Sequence, residues 1–207
     1  MPQTFYYYFW QRYRYTIPKA KVVFDVKVSK AIINKMEEYG ATPVMSKTGH
    51  SFIEGKMKEI NAPLGGEVSG HLFFAEEYYG FDDAFLATGK LLEIISKSEV
   101  PLSEMFNDLP ETFTTPEFKA HCPDDKKFTI VKSLVDHFTA NYDCITIDGV
   151  RVNFDERAWG AVRASNTSPN LTLRFEAGTE EKLNEIQTIM AEEIKKHPEV
   201  DISWYQS

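Results

Sequence analysis

The run from Arg163 through Ala164, Ser165, Asn166 and Thr167 to Ser168 and Pro169 gathers one guanidinium fork, three hydroxyls and a carboxamide in a single short loop. Small side chains there also leave backbone N–H groups accessible, so the loop has what a phosphate monoester needs to be cradled. The same residue types build ordinary hairpin turns, in which Arg163 is simply a solvated strand residue, and composition alone leaves both readings open. A second cluster places Glu67 and Ser69 among Gly65, Gly66 and Gly70. A carboxylate accepts hydrogen bonds from two vicinal hydroxyls at once, and a serine hydroxyl either donates or accepts, a pairing suited to gripping a sugar. Its plain alternative is a glycine-rich hairpin with solvated polar tips. His50 and His71 lie in motif-like surroundings and can move protons or orient a loop. Lys27 stands at the end of an apolar strand, while His121, His137 and His197 look incidental. Asp82 and Asp83 fit the acidic start of a helix.

The elements that must position these groups fall into two sets. Residues 21–28 form a near-continuous apolar strand, followed by a helix capped by Ser29 with Ile32, Ile33, Met36 and Tyr39 on one face. Residues 42–45 read as the next strand, 52–60 as a short helix, and the stretch after Asp83 as a helix with Phe85, Thr88, Leu91, Leu92 and Ile95 along its stripe. Turn residues crowd around Pro110 and mark a boundary. Beyond it come a short strand at 118–122 and a helix over 124–139 with Phe128, Val131, Leu134, Val135 and Phe138 inward. Four strands follow at 144–147, 150–154, 159–163 and 171–175, the first two joined by Asp148-Gly149, and Thr179 caps a last helix. The expected fold is therefore an α/β domain with a partial mixed sheet over residues 19–110. An α+β domain with a four-stranded antiparallel sheet and two helices is expected over 111–207.

At 207 residues the chain suffices for two such domains, and its 43% hydrophobic and 26% charged content is that of a soluble globular protein. Its 31 acidic against 23 basic side chains, net −8, oppose generic binding to nucleic acid or anionic membrane. Cys122 and Cys144 show no metal-ligand spacing and no disulfide framework, so a reducing cytoplasm is expected. No apolar run reaches membrane-spanning length, and no secretory signal opens the chain.

Three motifs carry a family resemblance. The run Arg163-Ala164-Ser165-Asn166-Thr167-Ser168-Pro169, with strand alternation ending Arg174-Phe175-Glu176-Ala177, resembles the phosphate-binding loop of the α-D-phosphohexomutases, the phosphomannomutase/phosphoglucomutase family. Gly66-Glu67-Val68-Ser69-Gly70-His71, followed by Phe73-Phe74 and Gly80-Phe81-Asp82-Asp83, is similar to its sugar-binding loop. Lys47-Thr48-Gly49-His50-Ser51 resembles its histidine-bearing active-site loop. From Lys19 onward the chain looks like the last two of that family's four domains. The resemblance implies interconversion of hexose 1-phosphates and 6-phosphates of mannose or glucose. It implies sugar contacts from Glu67, Ser69 and His71, phosphate contacts from Arg163, Ser165, Asn166 and Thr167, and catalytic parts for His50 and Lys27. It also implies a magnesium ion and a hexose 1,6-bisphosphate in the complete enzyme. The family's phosphoserine and its Asp-Gly-Asp-Gly-Asp-Arg metal loop belong to its first two domains, and neither motif occurs here. No metal ligands are therefore expected in this chain, which alone should bind without turnover, completed by a separate N-terminal mutase polypeptide. The alternative is a stand-alone phosphosugar-binding module. Residues 1–18 depart from the family pattern. Read one base later with A/T-rich codons, Tyr6 to Tyr13 becomes an aliphatic helix like that of relatives, so the segment is expected to be a frameshift remnant.

Overall fold

A computed structural model describes residues 19–76 and 78–205. The expectation of an atypical segment over residues 1–18 lies outside the described residues. The chain divides after Pro110 into two compact units.

In the first unit, β1 (Lys21–Asp25) is flanked by parallel β2 (Thr42–Ser46) and parallel β3 (Leu64–Gly66), and antiparallel β4 (Leu72–Phe74) completes the order β2-β1-β3-β4. Alternate residues of β1 face opposite ways. Val22 and Phe24 join Leu64 and Phe74 in a cluster with Ile32, Ile33 and Met36 of α1 (Lys30–Glu38). Val23 joins Phe73 in a second cluster with Ile53 and Met57 of α2 (His50–Ile60). Helices on both faces explain why β1 is apolar throughout. As an edge strand β2 tolerates Pro43.

β1 is shorter than the apolar run suggested. Asp25 Oδ1 accepts the Lys27 N–H at 2.8 Å and the Val28 N–H bonds Asp25 O at 3.3 Å, so a side-chain-braced turn ends the strand. Ser29 takes the N-cap position of α1, but its hydroxyl makes no capping bond. The stripe expected on α3 (Ala84–Ser96) is also rotated. Phe85 and Leu92 are exposed, whereas Leu86, Ala87, Leu91 and Ile94 pack on the core and Lys90 is buried with Nζ 5.2 Å from the Phe74 ring. A helix apolar on nearly every side offers no period from which to choose a face.

The second unit contains the four expected antiparallel strands, β7 (Asp143–Ile145), β8 (Val150–Asn153), β9 (Trp159–Ala164) and β10 (Asn170–Ala177). The sheet is larger, because β10 is long enough for its other edge to pair with both β5 (Phe113–Thr114) and β6 (Phe118–His121), giving six strands. Alternate residues Val150, Val152, Val162, Leu171, Leu173 and Phe175 share one core with Ile130, Leu134 and Phe138 of α4 (Asp124–Thr139) and Ile186, Met190 and Ile194 of α5 (Glu180–Ile194). Phe128 points outward, contrary to expectation, because the inward position on that turn goes to Lys127. The intervening strand residues form the other face, where the Arg151 guanidinium lies 3.8 Å from the Trp159 ring and Trp159 Nε1–H donates to Glu176 Oε1 at 3.0 Å. Cys122 and Cys144 are free thiols pushed above their ordinary pKa by burial. Among the described residues no helix is long and apolar enough to cross a membrane.

Candidate functional site

Each unit carries one polar loop built around a buried charge. In the first, β3 runs into a turn closed by Glu67 N–H to His71 O and Gly70 N–H to Glu67 O, both 2.9 Å, with Gly70 at φ +102, where a β-carbon is disfavoured. The turn does not project Glu67 outward as the glycine-rich sequence suggested; the residue is 3% exposed. Its Oε1 accepts the Gly49 N–H at 2.6 Å, and its Oε2 lies 3.3 Å from His50 Nε2 and 3.5 Å from His71 Nδ1. The two imidazoles meet edge-on at 4.2 Å. Ser69, exposed at the turn, places its Oγ 2.8 Å from His71 Nδ1. A buried carboxylate needs donors to offset lost hydration, and one amide plus two imidazoles supply them. Their polar edges, with Ser69, are what the loop offers to solvent.

Lys27 is buried and is not a solvated strand end; its backbone N–H bonds Asp25 Oδ1, while Asp25 Oδ2 accepts the Val68 N–H at 3.1 Å. Asp25 thereby ties the turn after β1 to the Glu67 loop. The pair Asp82 and Asp83 divides its work. Asp83 caps α3, accepting the Leu86 N–H at 3.0 Å. Asp82 is not a cap: its Oδ1 accepts the Leu72 N–H at 3.2 Å and its Oδ2 faces His71 Nε2 at 3.9 Å.

In the second unit the loop between β9 and β10 is closed by Ser165 N–H to Asn170 O at 2.9 Å. Ser165 Oγ lies 2.9 Å from Ser168 Oγ and accepts the Thr167 N–H at 3.3 Å. Asn166 and Thr167 are exposed at the tip, and Ser165 is buried beneath them. Arg163 is buried as well, its Nε–H donating to Asp148 Oδ2 at 2.6 Å. That bond fixes the guanidinium through Nε and leaves its Nη end as the edge that can grip two oxygens of an anion. Gly149, at φ +73, allows the β7–β8 turn to come this close. A β-carbon there would run into Val162 O and stand 2.8 Å from Arg163 Cα. Beneath the tip, Lys127 Nζ bridges Asp124 Oδ1 at 2.7 Å and Ser168 O at 3.0 Å.

Both loops lie within stretches matched by family profiles. Residues 4–113 match phosphoglucomutase/phosphomannomutase alpha/beta/alpha domain III, and residues 117–193 match the C-terminal domain of the same proteins. The chain belongs to the phosphoglucomutase/phosphomannomutase family. It is similar to a phosphomannomutase/phosphoglucomutase of Pseudomonas aeruginosa, at 45% identity over 179 residues, covering 86% of this chain and 38% of that protein. A phosphoglucomutase of Neisseria meningitidis is 42% identical over 184 residues, covering 87% and 40%. The crystal structure of a phosphoglucomutase/phosphomannomutase family protein from Burkholderia thailandensis superposes with a TM-score of 0.85 at 34% identity, covering 94% of this chain and 41% of that one. The chain thus spans about two fifths of the length of the curated relatives it matches, as their C-terminal part. The domain III match begins upstream of Lys19, where the motif resemblance starts.

The structure brings His50, Glu67, Ser69 and His71 together, links Lys27 to them through Asp25, and gathers Arg163, Ser165, Asn166 and Thr167 at the end of one hairpin. Reasoning from the sequence missed the residues that hold these groups: Asp25, the Gly49 amide, Asp82, Lys127 and Asp148. Asp148 was visible only as half of a turn dipeptide, and Asp82 only as half of an acidic pair. Lys127 stood three residues after Asp124, a helical spacing that signals an ion pair but not its reach to Ser168.

Proposed function

We propose that this chain supplies the sugar-gripping and phosphate-gripping loops of a phosphohexomutase that interconverts hexose 1-phosphates and 6-phosphates, and that the family's first two domains complete it. The observation that carries the reading is the pairing of one buried, hydrogen-bonded carboxylate flanked by imidazoles with one buried guanidinium held from its Nε side, each inside a family motif. Glu67, Ser69 and His71 take the sugar hydroxyls, and Arg163, Ser165, Asn166 and Thr167 take the phosphate that is not transferred. His50 and Lys27 serve the reacting end, His50 as a donor or acceptor of protons. A hexose 1,6-bisphosphate is the activator and intermediate. Magnesium spreads the charge of the transferring phosphoryl group when bound, and its ligands belong to the other domains. The groups here do not fit it. Among the described residues the cluster with metal-binding geometry is two imidazoles and one carboxylate, whereas magnesium takes an oxygen octahedron. The reaction belongs to carbohydrate metabolism in the cytoplasm, a reducing compartment that suits two free thiols.

By this reading the chain alone binds a phosphosugar without turning it over, since positioning is present but the phosphate carrier and the cation are not. A coupled assay with glucose 1-phosphate or mannose 1-phosphate, a hexose 1,6-bisphosphate and magnesium should be silent for the chain alone. It should become active when a polypeptide carrying the first two domains is added. Turnover by the chain alone would overturn the assignment of chemistry. Binding without complementation would favour a phosphosugar-binding module.

A further inference from the structure

The geometry points to a zinc-class transition-metal site formed by His50, Glu67 and His71, with its fourth position open to solvent. One ligand atom from each residue lies within 4.8 Å of the others. Glu67 Oε2 is 3.3 Å from His50 Nε2 and 3.5 Å from His71 Nδ1. A tetrahedral ion with bonds of about 2.0–2.1 Å to nitrogen and oxygen sets its ligands about 3.3–3.4 Å apart, so both edges that include Glu67 already match. The remaining edge, between the imidazoles, closes by turning rings whose side chains are 49% and 41% exposed and so not locked by packing.

The surroundings supply the supporting shell that such an ion requires. The Gly49 N–H holds Oε1 and leaves Oε2 to the ion, and the buried carboxylate offsets the metal's charge. His71 turns Nδ1 to the cluster and Nε2 toward Asp82 Oδ2 at 3.9 Å, while Asp82 is fixed by the Leu72 N–H. A carboxylate behind a histidine orients the ring and keeps the proton on the far nitrogen once the two close from 3.9 Å to hydrogen-bond distance, and Nδ1 then ligates in place of its contact with Ser69. Two imidazoles and one carboxylate select zinc, cobalt or iron over magnesium and calcium. The site stands on this geometry whatever the loop's role toward a hexose. If that role is correct, an ion here withdraws Glu67 and His71 from the sugar.

Titration of the full chain with Co²⁺, followed by visible absorption, reads both affinity and coordination. One equivalent should give the intense bands of a four- or five-coordinate ion, displaced by Zn²⁺ and unaffected by excess Mg²⁺. His50→Gln and His71→Gln should each weaken Co²⁺ binding roughly tenfold or more, and Asp82→Asn, which leaves all three ligands in place, about tenfold. Glutamine keeps an N–H donor for the buried Glu67 carboxylate, so the histidine variants keep their fold, which circular dichroism checks. A weak six-coordinate spectrum, or unchanged affinity in the His50→Gln/His71→Gln double variant, overturns the site.

Discussion

The Glu67 loop and the Arg163 loop bury charges of opposite sign by different means. Glu67 sits among several partial donors, one backbone amide and two half-exposed imidazoles, of which His71 also meets Ser69 and Asp82. Arg163 sits against a single full countercharge, Asp148, on a turn that admits no β-carbon at Gly149. In the proposed sugar-gripping role, the first arrangement lets the carboxylate's partners re-form around a polyhydroxyl ligand. The second fixes a planar fork in advance, which in the proposed role suits a phosphate of constant shape. The contrast predicts that the Arg163 loop is the more sensitive to loss of one partner, since removing half of a part-buried ion pair leaves the other half poorly compensated.

The largest effect should therefore come from Arg163→Ala, which removes the cation bonded to the part-buried Asp148 carboxylate and should lower stability by about 3 kcal/mol. Urea unfolding measures it. Adding Asp148→Ala should recover part of the loss, and a strictly additive double variant would break the comparison. Arg163→Lys should keep most of the stability while weakening phosphate binding, because lysine offers a point charge without the fork.

Glu67→Gln comes next. The amide oxygen can still accept the Gly49 N–H, so the fold survives, but the charge that draws the imidazoles, and in the proposed role the sugar hydroxyls, is gone. A phosphosugar should bind more weakly by roughly tenfold or more, in keeping with about 1.5–3 kcal/mol for a charged hydrogen bond, while inorganic phosphate is unaffected. Equal weakening of both ligands in a calorimetric titration would erase the distinction between the loops.

How much of this was legible in the sequence follows from what each signal reports. Strands and helices with one clear face, such as α1 with Ile32, Ile33 and Met36, read correctly because burial writes its period into the residues. α3 and the start of α4 did not. The former is apolar nearly all round, and in the latter Lys127 is buried for the sake of two oxygens while Phe128 is exposed. The loops were legible as motifs because small polar residues cluster in chain order. Their supporting contacts were not, because Asp25 to Val68 and Asp148 to Arg163 join residues far apart in the chain, which no local pattern records.

The smallest expected effect distinguishes the helix caps of the two units. Asp83 caps α3 in the first and Thr179 caps α5 in the second, accepting the Lys182 N–H at 3.2 Å. The Asp83 carboxyl is held below its ordinary value of 3.8, chiefly by the Leu86 N–H and then by the Tyr78 hydroxyl. A carboxyl depressed in the folded state contributes stability that is complete above its unfolded pKa and is lost as pH falls through the folded one. The threonine cap carries no proton to gain, so its contribution does not change over that range. Asp83→Asn keeps an acceptor for the Leu86 N–H but removes the titration. Between about pH 5 and about pH 2 the wild type should therefore lose stability slightly faster than Asp83→Asn, whereas Thr179→Ala should differ from wild type by the same amount at every pH. Urea midpoints followed by circular dichroism across that range supply the test, with all other carboxylates cancelling in each difference. Parallel curves for wild type and Asp83→Asn would mean that the cap bond does not distinguish the charged from the neutral carboxyl.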